Sequence, residues 1–380
     1  DQLAFLARTD MPQGEFWYMA SADRRGRQMS RPQAITAHIY GKRLAAAEAF
    51  THMVRHWSPS PAVLKRAGDE SFIDGVNQLV WHTFTCSPKE FGVPGNEYFA
   101  GTHINPKVTW FEQAAPFMTY LGRCQHLLRQ GHFVADVCAY VGDVPYQHWG
   151  RYTTKWNDRA TLELPPGHAY DVITSEALLE RASAKDGAIV LPDGMTYRVL
   201  AVDLAEPQAP LAALRKIAEL QQAGVPVVFG ERKPQRTPGL AGGNDEASRL
   251  GEELWRDSPS LAAILNEKHL PPDFEGPFEY THRRDGATDI YFVAGTGKAE
   301  CTFRVRGRQP ELWAPVSGKI DADVACQTTA DGRTRVTLDL PQDGSVFVVF
   351  RSQRAESSGR KSEPGAPVQV LNVDGPWEVR

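Results

Sequence analysis

Apolar and polar positions change rhythm three times along the chain. In residues 1–115, short apolar runs alternate with stretches of helical spacing. Arg31-Pro32 leads into Ala34, Ile35, Ala37 and His38, and Gly41 follows, so residues 30–38 predict a helix that opens on a proline and closes on a glycine. The run from Leu44 to Phe50 is apolar except for Glu48 near its end. Residues 71–78 predict a second helix, and Leu79-Val80-Trp81-His82-Thr83-Phe84 reads as a strand. Helices and strands in alternation indicate a parallel α/β arrangement. Glu48 and His82 fall at the C-terminal ends of apolar strands, the end at which a (β/α)8 barrel carries its active site.

The second rhythm, over residues 116–275, is again mixed. Phe117, Tyr120, Leu121, Cys124, Leu127 and Leu128 make an amphipathic helix over 116–130 that Gly131 ends. Strands are predicted over 133–141, 170–173, 199–202 and 225–229, with helices over 210–222 and 245–255. That series predicts an open, doubly wound, flavodoxin-like domain. It carries neither GxGxxG nor a P-loop pattern, which favours a structural or site-shaping role over cofactor binding. Residues 276–351 are strand-rich: runs at 278–281, 290–294, 299–305, 309–313, 334–338 and 345–350 are divided by turn signals such as Arg284-Asp285-Gly286 and Ala330-Asp331-Gly332. Short strands at this spacing predict a β-sandwich. A linker rich in Ser, Arg, Lys, Glu and Pro follows from 352, and Val368-Gln369-Val370 begins a new strand pattern. The expected fold is therefore multidomain α/β plus all-β: 1–115 the C-terminal part of a (β/α)8 barrel, 116–275 flavodoxin-like, 276–351 a β-sandwich, and 352–380 a linker with the first strand of a further domain. A chain that opens inside an α/β unit and stops at the start of another domain is expected to be a fragment of a longer protein.

Composition narrows the function classes. With 42% hydrophobic and 23% charged residues, the 380-residue chain has ordinary globular usage. Lys and Arg number 42 against 46 Asp and Glu, a net charge of −4, which lacks the basic surplus of a nucleic-acid binder. No run approaches the ~20 apolar residues that cross a bilayer. The five cysteines form no CxxC pair and no zinc-type spacing. Nine Trp, eleven Tyr and seventeen Phe supply flat faces of the kind that stack on sugars.

Two carboxylates stand out in aromatic settings. Glu15 follows a Pro-Gln-Gly turn and precedes Phe16-Trp17; Glu48 ends an apolar run beside Phe50. Cleaving a glycosidic bond requires an acid to protonate the leaving oxygen and a carboxylate to activate water or attack carbon. Both residues also have plain structural readings, Glu15 as a turn residue and Glu48 as a helix-leading carboxylate. A second group, Trp81-His82 with His103, Asn105 and Trp110, would give a polar pocket aromatic walls, although satisfied structural histidines are the alternative. Asp143, Asp171 and Asp193 read as capping and turn residues.

Taken together, several strings resemble glycoside hydrolase family 106, the α-L-rhamnosidases. They are Asp10-Met11-Pro12-Gln13-Gly14-Glu15-Phe16-Trp17, His38-Ile39-Tyr40-Gly41-Lys42 leading to Ala46-Ala47-Glu48-Ala49-Phe50-Thr51, and Gly101-Thr102-His103-Ile104-Asn105-Pro106 through Thr109-Trp110-Phe111. Val190-Leu191-Pro192-Asp193-Gly194-Met195 and Pro310-Glu311-Leu312-Trp313 continue the series, and Gly375-Pro376-Trp377-Glu378-Val379 looks like the opening of a sugar-binding β-domain. The resemblance implies an inverting hydrolase that releases terminal α-L-rhamnose from glycans. It makes Glu48 the general base and Glu15 a second essential carboxylate near a calcium ion, with Trp17, Trp81, His82, His103, Asn105 and Trp110 around the sugar. The general acid would lie upstream of this chain, and the isolated 380-residue piece would be inactive. A periplasmic or secreted location is implied by the resemblance alone. Another glycosidase of similar architecture, or a non-catalytic carbohydrate-binding module, stays open at this point.

Overall fold

The computed structural model of the protein describes residues 2–18, 30–53, 57–143, 155–239 and 242–352. The strand pattern expected after the linker at 352 therefore lies outside the described residues. A short helix α1 (Gln2–Leu6) leads to β1 (Gln13–Trp17), α2 (Arg31–Ile39), β2 (Ala46–Thr51), α3 (Pro61–Ile73), β3 (Gln78–Trp81) and α4 (Ala115–Leu128). The three strands lie parallel in chain order, joined through the helices. α3 starts ten residues before the expected position. Its packing stripe is Leu64, Gly68 and Phe72, and the glycine in the middle conceals the helical period. That glycine has a packing reason: a Cβ there would sit 3.4 Å from the Phe50 ring.

The next strands are β4 (His132–Phe133), β5 (Val137–Tyr140) and β6 (Tyr170–Ile173), followed by α5 (Ser175–Glu180). A small antiparallel sheet of β7 (Ser183–Lys185), β8 (Ala188–Val190) and β9 (Thr196–Tyr197) precedes β10 (Val199–Val202), α6 (Leu211–Gln222), β11 (Val227–Phe229), α7 (Asn244–Leu254) and α8 (Leu261–Glu267). Four of these strands form a parallel sheet in the order β11-β10-β5-β6. Counted along the chain this is 2-1-3-4, the strand order of flavodoxin-like sheets. All four strands are buried or nearly so on both faces, which explains unbroken apolar runs such as Val199-Leu200-Ala201-Val202. The single strand expected over 133–141 is two strands. Between them Asp136 is buried and bound by His168 at 2.6 Å and by Arg304 at 2.9 Å, so the chain breaks there and β4 joins a different sheet.

That sheet is antiparallel and includes β12 (Phe274–Glu275), β13 (Glu279–Asp285), β14 (Thr288–Phe303), β15 (Pro310–Trp313), β16 (Ile320–Asp321), β17 (Cys326–Thr328) and β18 (Thr334–Phe350). The separate strands expected over 290–294 and 299–305 are one 16-residue strand, and those over 334–338 and 345–350 are one of 17 residues. Gly295-Thr296-Gly297 and Asp343-Gly344 carry turn composition but act as a bulge, where the β14–β18 register shifts and pairing continues. Tyr291, Val293, Val348 and Phe350 share a core cluster with Cys301, Phe303, Val336 and Leu338, so both halves of the long strands enclose one interior. The alternate residues Ile290, Phe292, Phe347 and Val349 pack on Phe72 of α3, on Phe117 and Leu121 of α4, and on Phe50 of β2. Helix α4, grouped by its sequence with the unit that follows, thus packs between the first sheet and the antiparallel sheet.

Buried polar groups tie the sheets together. His38 on α2 lies 3.1 Å from Asp171 on β6, and Tyr197 donates to the same carboxylate at 2.9 Å. Asp171 is therefore a fully buried joint rather than a turn residue. His282 sits between Asp273 (3.0 Å) and Asp289 (2.8 Å). Burial alone would lower its pKa, but the two carboxylates raise it above the ordinary imidazole range.

Candidate active site

The pleat of the first sheet sorts its residues by face. Phe16, Ala47, Ala49, Leu79 and Trp81 point into the core cluster. Glu15, Trp17, Glu48 and Val80 occupy the other face. Glu15 and Glu48 are register partners, as are Glu48 and Val80, so the two glutamates are backbone neighbours on one face across a strand spacing of about 4.8 Å.

Strict alternation would turn Thr51 away from Glu48. A bulge prevents this. Between the pairs Glu15/Glu48 and Trp17/Thr51, β2 has one residue more than β1, and Phe50 adopts φ 64°. Ala49 and Phe50 both face the core opposite Phe16, and Thr51 returns to the face of Glu48. A left-handed backbone at a bulky residue costs energy. Here the fully buried Phe50 ring holds it, 5.0 Å from Phe16 and 4.9 Å from Trp81.

The Thr51 hydroxyl donates to Glu48 Oε1 at 2.7 Å. His82, the residue after β3, brings Nδ1 to 3.0 Å from the same oxygen and 3.1 Å from Thr51 Oγ1. With its proton on Nδ1, the imidazole faces two oxygens able to accept it and keeps Nε2 as its own acceptor. Both contacts of Glu48 fall on Oε1, and its Oε2 has no hydrogen-bond partner among the described residues. The Glu48 and His82 side chains are 33% and 21% exposed, open enough to meet a ligand. Tyr98 stands edge-on to His82 at 5.5 Å and is itself exposed. Gly101, at φ 96°, lies so close that a Cβ would come within 2.9 Å of the His82 carbonyl and 3.1 Å of its Nδ1.

Of the residues singled out from sequence, Glu15, Trp17, Glu48 and His82 share this face. The others have partners elsewhere among the described residues. Trp81 points the opposite way and donates its indole N–H to the Thr102 carbonyl at 3.0 Å, because its register partner is Ala49, not Glu48. His103 is buried and stacked on Trp57 at 3.9 Å. Asn105 is also buried; its side-chain oxygen receives the Lys107 backbone N–H at 2.9 Å. Trp110 donates to the Pro59 carbonyl at 2.9 Å. These residues shape the loops. Sequence reasoning missed Thr51 and Tyr98; the Thr three places after Glu48 becomes legible only once the bulge is known.

Among the described residues, no group of three or more His, Cys, Asp and Glu side chains is placed to hold a metal ion. Calcium takes six to eight oxygens, and Glu15 has no such acidic set around it here. Calcium would need ligands beyond these.

Comparison with known proteins now decides the family. Residues 1–326 match the family model of glycoside hydrolase family 106, alpha-L-rhamnosidase. The chain belongs to this family. The rhamnosidase from Novosphingobium sp. PP1Y is a solved structure similar to the family 106 chain, with a TM-score of 0.79 and 29% identity over 94% of this chain and 36% of that one. A Formosa agariphila protein bearing the provisional name beta-glucuronidase is 30% identical over 89% of this chain and 30% of its own length. The family 106 chain thus spans about a third of each of these relatives. At the level of fold alone, it is also similar to the apo exo-carrageenase GH42 from Bacteroides ovatus, with a TM-score of 0.51 and 9% identity over 92% of this chain and 49% of that one.

Proposed function

We propose that this chain carries the water-activating side of an inverting α-L-rhamnosidase, with Glu48 as general base. The observation that carries the proposal is the asymmetric seating of Glu48. Thr51 donates to one oxygen at 2.7 Å, His82 Nδ1 stands 3.0 Å from that same oxygen, and the other is left to take a proton. In the proposed reaction, Glu48 deprotonates a water that attacks the anomeric carbon, and the leaving oxygen is protonated by an acid outside the described residues. Trp17 and Tyr98 offer apolar faces to the sugar, and His82 Nε2 is available to a hydroxyl. The three parallel strands are, on this reading, a sector of a (β/α)8 barrel with its active face at their C-terminal ends. The flavodoxin-like unit and the antiparallel sheet support it from behind.

A second reading comes from the name of the Formosa relative, under which the substrate would be a β-glucuronide. Substrate identity separates the two. The full-length protein is incubated with an aryl α-L-rhamnoside and an aryl β-D-glucuronide, and the released sugar is followed by NMR. Rhamnose appearing first as the β-anomer supports the proposal. Turnover of the glucuronide alone transfers the site to the second reading, and sugar binding without turnover of either substrate indicates a non-catalytic module.

A further inference from the structure

At the opposite end of the first sheet lies a cavity of about 300 Å³ whose charge the hydrolytic site does not use. Lys42 and Arg43 enter it just before β2, Arg129 at the end of α4, and Arg283 from β13. Among the described residues, none of the four forms an ion pair with a carboxylate. Lys42 donates to the Thr9 carbonyl at 2.6 Å. Arg129 donates to the Asn77 carbonyl at 2.9 Å and to the Gln78 side chain at 2.5 Å. The buried Arg283 donates Nε to the Gln130 carbonyl at 2.7 Å and Nη2 to the Gly131 carbonyl at 2.6 Å. Its Nη1 has no partner among the described residues.

A structural explanation covers part of this. Arginines at helix C-termini offset the negative end of the helix dipole, and α2 and α4 both end here. Two helix ends supply roughly one negative charge between them. Of the two acids lining the cavity, Asp193 is already paired with Arg181, which leaves Asp285. Positive charge therefore remains in excess. Burial lowers the Arg283 guanidinium to about 10 against the opposing pull of the Asp171 carboxylate, and Arg129 is lowered by burial and by the charge of Arg43.

We infer that this cavity is an oxyanion site, taking sulfate or phosphate either as the free ion or as an ester carried on a sugar. Guanidinium groups suit such ligands because their planar N–H pairs match tetrahedral oxyanions. The Arg283 Nη1 group and the Arg43 and Arg129 side chains supply the contacts. The site lies at the N-terminal ends of the parallel strands, whereas Glu48 and His82 stand at the C-terminal ends, so binding is separate from hydrolysis.

Isothermal titration calorimetry on the full-length protein tests this with sodium sulfate, potassium phosphate and a monosaccharide sulfate ester, each against sodium chloride at equal ionic strength. Wild type is expected to bind sulfate or phosphate with a millimolar or tighter Kd. Arg129→Gln should weaken it at least ten-fold, and the exposed Arg43→Gln several-fold, with kcat on the aryl glycoside unchanged in both. Tighter binding of the ester than of the free ion identifies a glycan source; the reverse identifies the inorganic ion. No heat beyond the chloride control in wild type, or equal binding in wild type and a folded Arg43→Gln, would overturn the inference.

Discussion

Phe50 turns an ordinary strand end into a site. Its left-handed backbone at φ 64° and its buried ring rotate Thr51 back toward Glu48, so one hydroxyl and one imidazole converge on a single carboxylate oxygen. Replacing Thr51 with valine keeps the shape and removes one donor. A hydrogen bond of this kind contributes about 1 kcal/mol, so Thr51→Val should lower kcat about five-fold with little change in KM, measured by steady-state kinetics on the full-length protein. Gly101 is stricter: at φ 96°, with a Cβ only 2.9 Å from the His82 carbonyl, alanine cannot enter without moving His82. Gly101→Ala should reduce activity more than Thr51→Val does and lower Tm, checked by kinetics and thermal melts side by side. At this scale the sequence was partly readable. Glu15 and Glu48 are carboxylates set beside apolar and aromatic strand residues, where their type is conspicuous. The parity that sends Trp81 to the core was also available in Leu79-Val80-Trp81-His82. The bulge was not, because nothing in Ala49-Phe50-Thr51 announces a positive φ.

Elements are held against one another by a few buried polar latches. On α3, Lys65 donates to Asp69 at 2.6 Å and to Ser345 of β18 at 2.9 Å. Tyr120 of α4 donates to the same Asp69 and lies 2.9 Å from Ser345 Oγ. Burial pushes the Asp69 carboxyl up from 3.8 to about 6, against the opposing pull of Lys65. A carboxyl raised on folding contributes stability that is fully present below its unfolded value and is lost as pH rises through the folded one. The loss between about pH 4 and pH 6 is on the order of 3 kcal/mol. Asp69→Asn should remove that slope and equal or exceed wild-type stability at pH 7, as read from urea unfolding at several pH values. None of this latch was legible in the sequence, since its partners are separated by up to 280 residues. The long strands were misread for a local reason: glycine and aspartate at 295–297 and 343–344 have turn chemistry, and only the pairing of β14 with β18 shows that both strands bend together and continue.

At the scale of the whole molecule, three sheets share buried interfaces. One cluster joins the first sheet to the antiparallel one through α3 and α4, and Asp136, bound by His168 and Arg304, fastens the four-stranded parallel sheet to it. An ordered series of motifs spread along the chain made the family legible where no single motif could. The way the sheets meet was not legible, because it rests on contacts between distant segments. The chain spans about a third of the relatives it matches, so its carboxylate face has to be tested in the full-length protein. The most direct measurement is the turnover of an aryl α-L-rhamnoside by full-length wild type and by Glu48→Gln. Removing a general base is expected to cost roughly 100- to 10,000-fold in kcat, with KM nearly unchanged. Undiminished turnover by Glu48→Gln would contradict the assignment of Glu48 as the base.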